Sequence, residues 1–245
     1  MTTQPIYLLS TGSLLAETIK QMAAQDIILD VLSFIATERV ADEDVQELAV
    51  QPLVAVFTSV NALEAVKEGL AGMKPRWKIY CTSGATRQGV TDYFGRTAVA
   101  GTAESARALA ELIRREEGAR EGERRDEGRR EIFFFCGDLR REELPSILHQ
   151  AGFIVNERIV YRTLLTPHKT ERVYDGIAFF SPSAVESYYS VNTVAESTVL
   201  FAIGPSTAAT IKSRCSNLVI IADQPEKGAL IRKMIGYFSN KRRSQ

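Results

Sequence analysis

The chain has 245 residues, room for one large domain or two small ones, and its 45% hydrophobic and 24% charged composition excludes disorder, collagen and a disulfide-stapled scaffold. Thirty Lys and Arg balance thirty Asp and Glu, so no global basic field draws nucleic acid or an anionic membrane, and an anionic ligand must be held by local groups. Short apolar runs rich in β-formers alternate with amphipathic segments throughout, the pattern of an α/β protein with mainly parallel sheets.

In chain order, strands are expected near 5–10, 27–33, 53–58, 78–82, 131–136, 154–162, 176–181, 198–203 and 218–222. Helices are expected near 13–24, 61–70, 85–94, 103–116, 139–151, 183–190, 206–214 and 226–238. The start, MTTQPIYLLSTGSLLAETIK, has no basic region ahead of its apolar run, and nowhere does the chain reach the roughly 18 consecutive apolar residues of a membrane span. A soluble cytoplasmic protein is expected, with monomer as the default in the absence of coiled-coil heptads. Cys81, Cys136 and Cys215 are odd in number and far apart, as buried thiols in a reducing compartment would be. Cys136, just before Gly137 at a strand end, is also placed where a nucleophile could be exposed, but neither His149 nor His168 is near it in sequence.

The chain repeats itself. VAVFTSVNALEAV (54–66) is similar to GIAFFSPSAVESY (176–188), which aligns Ser59 with Ser181. KIYCTSGATRQGV (78–90) is similar to VLFAIGPSTAATI (199–211), aligning Thr86 with Thr207, and the run from Ile6 is similar to that from Ile132, aligning Gly12 with Gly137. The offsets are nearly equal, so two similar α/β units are expected. The order of the blocks makes the first unit discontinuous: residues 1–33 with 167–245 form domain one, and 34–166 form domain two with the connecting strands. Extended crossings around Phe34–Thr37 and Ile159–Thr163 would then join two halves facing one cleft, a double tether that permits hinge motion. Residues 116–131 hold twelve charged residues of both signs and three glycines, which reads as a solvated helix extension and loop rather than an electrostatic arm.

Five strand-to-helix turns share one composition: Phe57–Asn61, Thr82–Thr86, Cys136–Asp138, Phe180–Ser183 and Gly204–Thr207. In open α/β sheets ligands bind at this carboxyl edge, where first-turn amides point outward and Ser or Thr either cap the helix or meet the ligand. Several such ends suit a multiply charged anion. No GxxxxGK[ST], no GxGxxG at such a turn, no HExxH, no paired-Cys cluster and no GxSxG occurs, so phosphate-loop nucleotide binding, metal sites and serine hydrolysis lose ground. Tyr161 ends the run RIVYRT, where a phenol could face a cleft as proton donor, although composition alone reads it as a buried strand residue.

In order and spacing, CGDLRREELPSILHQAGF (136–153), VYRT (160–163), FFSPSAV (179–185), AIGPSTAATI (202–211) and the earlier copy FTSVNAL (57–63) resemble the uroporphyrinogen-III synthase family. The resemblance covers nearly the whole chain. It implies two α/β domains, the first discontinuous, joined by a two-stranded connection, with neither cofactor nor metal. It implies a cyclising lyase that converts hydroxymethylbilane, a linear octacarboxylate tetrapyrrole, to uroporphyrinogen III. Water is lost to give an azafulvene, and the last pyrrole ring inverts through a spiro-pyrrolenine. Tyr161 matches the family tyrosine proposed to assist departure of the hydroxyl. By the same carry-over Ser59, Thr86, Ser181, Ser206 and Thr207 line the cleft, and amides around Ser83, Gly84, Ser183 and Gly204 take substrate carboxylates. Arg140 is either a charged contact or a first-turn residue paired with Glu142 or Glu143. The first strand ends LLSTG where many members carry Thr-Arg, and Ser83 stands where glycine is usual. A transient contact with the upstream hydroxymethylbilane-forming enzyme is the one protein partner implied. A noncatalytic two-lobed protein closing on an anionic metabolite uses the same helix ends, and a flavodoxin-like module would retain flavin or nucleotide.

Overall fold

A computed structural model describes residues 5–14, 27–40, 44–118 and 130–243. Two parallel-stranded sheets organise the chain, because the apolar runs are short, rich in Val, Ile and Phe, and continuous rather than alternating. Contact density divides it into two compact units, one of Met1–Ala36 with Leu164–Gln245 and one of Thr37–Thr163.

The first unit holds β1 (Ile6–Ser10), β2 (Ile27–Val31), β9 (Gly176–Phe179), β10 (Val199–Ala202) and β11 (Val219–Ile221), in the order β11-β10-β9-β1-β2. All its pairings are parallel, with Leu8 opposite Gly176 and Phe201 opposite Ala178. Every residue of β9 and β10 is buried. One face packs Leu9, Ile177, Phe179 and Tyr188 with helices α6 (Pro182–Tyr189) and α7 (Pro205–Lys212), and the other packs Leu8, Phe201, Met234 and Phe238 with α8 (Lys227–Arg243).

The second unit holds β3 (Ile35–Arg39), β4 (Val54–Phe57), β5 (Lys78–Thr82), β6 (Val99–Ala103), β7 (Glu131–Gly137) and β8 (Ile154–Leu165), in the order β3-β8-β7-β4-β5-β6. The five strands from β8 to β6 run parallel. The edge strand β3 is antiparallel to β8: Thr166 donates its N–H to Phe34 and Val40 donates its own to Val160, so one strand descends as the other rises. Through β3 and β8 the chain passes extended from one unit to the other and back. On one face α1 (Val45–Ala49), α2 (Val60–Gly69) and α3 (Ala85–Phe94) cover Phe57, Cys81 and Phe135, where Trp77 stacks on Phe135 at 5.4 Å and donates its indole N–H to Leu48. On the other face α4 (Ala106–Gly118) and α5 (Glu143–Gln150) cover Tyr80, Phe134 and Cys136.

The α/β reading of the sequence with mainly parallel sheets is what this architecture shows. Strand β6 and helix α1 are additions to it. Helix α5 begins at Glu143 rather than near 139, because Arg140 closes a turn by donating to the Gly137 carbonyl. The expected helix near 13–24 and the centre of the charged segment 116–131 fall largely outside the described residues. Buried thiols are found at Cys81 and Cys136, whereas Cys215 is half-buried, with Sγ accepting from Tyr189 Oη at 3.1 Å. That last is a correction: Cys215 follows the end of α7, where the chain turns back toward the surface.

The thiols and one phenol give a pH signature. Burial pushes the Cys136 thiol up to about 12 and the Cys81 thiol to about 11, the latter against the pull of Arg87. Tyr80 is raised above the usual phenol range by burial and by the carboxylates of Glu117 and Glu116, to which it donates. Above about pH 9 an unfolded chain releases thiol protons that the native state keeps, so stability is full below that pH and falls as pH rises toward 12. Urea midpoints should therefore drop between pH 7.5 and pH 10. In native protein at pH 8, Cys81 and Cys136 should escape alkylation, since roughly one in 10³ to 10⁴ is thiolate; mass spectrometry showing rapid labelling of either would contradict this.

Candidate active site

In each sheet the strand order reverses once, between β4 and β7 in the second unit and between β1 and β9 in the first. Connections on either side of such a switch leave in opposite directions, opening a crevice at the carboxyl ends where ligands bind. The expected site residues stand around these points.

In the second unit, Ser59 follows β4 and caps α2. Its backbone is extended and its Oγ accepts from the Ala62 N–H at 3.2 Å, an arrangement worth about 1 kcal/mol. The same Oγ lies 3.3 Å from the phenol oxygen of Tyr161 on β8, either atom donating. What brings Tyr161 there is an irregularity in a parallel ladder: Cys136 pairs with Ile159 but Gly137 pairs with Tyr161, leaving Val160 as an extra residue. Consecutive strand residues normally point to opposite faces, yet Val160 and Tyr161 both pack against the cluster on the α2 side. The ring then crosses directly over Gly137. A Cβ at that glycine would fall within 2.7 Å of Tyr161 Cζ, Cε2 and Oη, so only hydrogen fits.

At the neighbouring edge Gly84 caps α3 with φ +72° and ψ −135°, a conformation essentially reserved for glycine, and supplies no capping side chain. The first-turn amides of α3 therefore point outward without a side-chain cap. The Ser83 N–H is not among them: it donates to the Ala103 carbonyl at 2.9 Å, and the Ser83 hydroxyl donates to Glu104 at 2.8 Å. Thr86 is buried in the first turn. Arg140 is held by Glu157 through Nε and by Glu142 through Nη2 at 3.3 Å. The hydrogen bond to Glu157 raises its pKa further above its already high ordinary value, so it is a fixed cation already neutralised by its own chain.

The first unit repeats this chemistry. Ser181 caps α6 as Ser59 caps α2, its Oγ accepting from the Ala184 N–H at 3.1 Å. Gly204 caps α7 as Gly84 caps α3, with Pro205 at the first helical position, Ser206 exposed and Thr207 buried. Ser183 is half-buried in the first turn of α6. At the switch point itself Thr11 is tied down, its Oγ1 donating to the Ala178 carbonyl at 2.8 Å, and the Phe180 ring covers Gly12.

The description uroporphyrinogen-III synthase HemD belongs to the family whose profile matches residues 13–232. The chain belongs to the uroporphyrinogen-III synthase family. No curated protein matches significantly. Among solved structures the chain is similar to a uroporphyrinogen-III synthetase from Helicobacter pylori, with TM-score 0.64 and 14% identity over 96% of this chain and 100% of that one. It is similar also to a mutant uroporphyrinogen III synthase from the extremely thermophilic bacterium Thermus thermophilus, with TM-score 0.62 and 14% identity over 96% and 99%. At such identity these likenesses speak for the fold. Membership in the synthase family makes the chain a cyclising lyase of heme biosynthesis, with a small molecule as substrate. Among the described residues no helix is long and apolar enough to cross a membrane, and no three His, Cys, Asp or Glu gather as metal ligands.

Sequence reasoning misses two cations at these synthase edges. Arg87 stands exposed in the first turn of α3, where a positive charge opposes the helix dipole, a placement visible in the sequence once the helix start is known. Lys227, 5.5 Å from the Phe180 ring centroid and donating to the Ser13 carbonyl, lies beside the LLSTG turn only through tertiary packing.

Gly137→Ala should overpack the site, lowering stability by about 1–3 kcal/mol in denaturant melts and moving the Tyr161 ring. Gly236→Ala is the control: inside α8 an added Cβ meets nothing within 4 Å and alanine favours a helix, so stability should hold or rise by up to about 1 kcal/mol. Equal effects would contradict the packing argument.

Proposed function

We propose that this chain closes hydroxymethylbilane to uroporphyrinogen III with Tyr161 as the acid that helps the terminal hydroxyl leave. What carries the assignment of the residue is the placement of its phenol, at the switch-point crevice of the second unit and 3.3 Å from Ser59 Oγ, in a chain of this family. Ser59 has one lone pair engaged by the Ala62 amide, which leaves its hydroxyl to hold the phenol oxygen.

The chemistry asks for little nucleophilic machinery. Electron-rich pyrroles push out the hydroxyl, which departs as water once protonated, and the resulting azafulvene is attacked by the substituted carbon of the last ring to give a spiro-pyrrolenine. The older bond from that carbon to the neighbouring methylene then breaks, and the azafulvene so released recombines at the free carbon with loss of that carbon's proton, which inverts the ring. The enzyme's contribution is to fold a flexible octacarboxylate so that the substituted carbon, rather than the free one, is nearest, and to stabilise the charge that develops. First-turn amides at Gly84 and Gly204, the hydroxyls of Ser181, Ser183 and Ser206, and the buried Thr86 and Thr207 that shape those turns form the proposed carboxylate-binding set. Ser83 enters it through its hydroxyl, and Arg140 enters it only by exchanging one of its own carboxylate partners. The reaction is placed in the cytoplasm, in keeping with three unpaired thiols, and its substrate arrives through a transient contact with the enzyme that makes it.

Added to freshly generated hydroxymethylbilane, the protein should yield the type III isomer, resolved from type I after oxidation to porphyrins. Tyr161→Phe should lower kcat by on the order of 10²-fold, the usual contribution of one general acid, with KM little changed. Only type I product at the spontaneous rate from folded protein would favour a noncatalytic anion binder instead.

A further inference from the structure

Tyr161 reaches Ser59 only because β8 carries an extra residue opposite β7, and an unbraced bulge in a parallel ladder would relax. The brace is Asp138. Its N–H donates to the Tyr161 carbonyl at 3.2 Å, and its Oδ1 accepts the N–H of Thr163 at 3.0 Å. One residue, immediately after the glycine over which the ring lies, thus grips β8 through two backbone groups just past the position where the phenol emerges. The ladder between β7 and β8 ends at the pair Gly137 and Tyr161, so the carboxylate of Asp138 takes over where regular pairing stops.

We propose that Asp138 is a positioning residue for Tyr161: its carboxylate locks the bulged register of β8, and thereby the place of the phenol relative to Ser59. The proposal rests on the reading of Tyr161 as the acid for its effect on turnover, but not for its effect on the ring. Asp138 itself acts through the backbone and touches no reacting atom. A displaced acid loses rate without loss of affinity, since an ångström of misplacement is worth up to about 10²-fold.

The test combines kinetics with a fluorine probe. In protein labelled with 3-fluorotyrosine, the Tyr161 resonance is assigned by its disappearance in Tyr161→Phe. Asp138→Ala should lower kcat about tenfold or more with KM unchanged within about twofold, and should add little when combined with Tyr161→Phe. Asp138→Asn, whose amide oxygen still accepts from Thr163, should restore both the rate and the parent resonance, which Asp138→Ala should shift. If the alanine variant does not fold, Asp138→Leu, branched at the same carbon and unable to accept, replaces it. An unshifted Tyr161 resonance in Asp138→Ala, or an equal loss of rate with and without the Tyr161 hydroxyl, overturns the proposal. Were Tyr161→Phe to turn over at the parent rate, the acid assignment would fall, and the resonance alone would decide the brace: shifted sustains it, unshifted overturns it.

Discussion

The central strands of both sheets bury both faces, and the distribution of polar groups follows from that. In β9 and β10 no residue is exposed, and β7 surrenders only its first residue fully to solvent. Side chains with hydroxyls or charge have little room along such strands, because an unpaired buried polar group costs several kcal/mol. They collect at the strand ends, where parallel topology brings all carboxyl ends of one sheet to the same edge. The site is in this sense the residue of the core: what the apolar runs exclude is concentrated at their termini, beside first-turn amides that have no carbonyl partner within their own helix.

Within that frame the unusual element is the departure from strand alternation at Val160. A regular β8 would turn either Val160 or Tyr161 away from the α2 face. Bulging admits both, Val160 to the core beside Phe135 and Tyr161 to the crevice. Such an irregularity survives in a parallel ladder only if other contacts compensate for the broken pairing. The compensation here is visible as a missing Cβ at Gly137, a hydroxyl at Ser59, and two hydrogen bonds at Asp138, one donated and one accepted.

Much of this was legible in the sequence. The near-constant offset between FTSVNAL and FFSPSAV corresponds to two serines with the same capping geometry in the two units, 3.2 and 3.1 Å from the third amide beyond. Local chemistry dictates both, so local reading finds them. What stayed hidden is what depends on pairing. Strand β6, VAGTA, is too short and too weakly apolar to announce itself, and becomes a strand because β5 offers it an edge. Helix α1 spans five residues and is held by burying Val45 and Leu48 rather than by propensity. The partners of Arg140 are split in the same way: Glu142 is two residues away and was foreseeable, while Glu157 comes from the next strand and was not. The N–H of Ser83 was expected to be open, yet it belongs to the ladder with β6, the strand that the pattern does not reveal.

The discontinuity of the first unit reaches beyond the folded state. Residues 37–163 are contiguous, so during synthesis that unit can complete its sheet as soon as β8 has emerged. Strand β1 must instead wait for β9, its partner at Leu8 opposite Gly176, some 168 residues later. At ordinary translation speeds of roughly 5–20 residues per second, that interval lasts on the order of ten to thirty seconds. Throughout it the apolar run IYLLS has only β2 to pair with and no second neighbour, an edge of the kind chaperones recognise. A nascent chain stalled between residues 163 and 176 would thus carry one finished unit and one exposed strand pair, and that is the stage at which this protein is most exposed to misassembly.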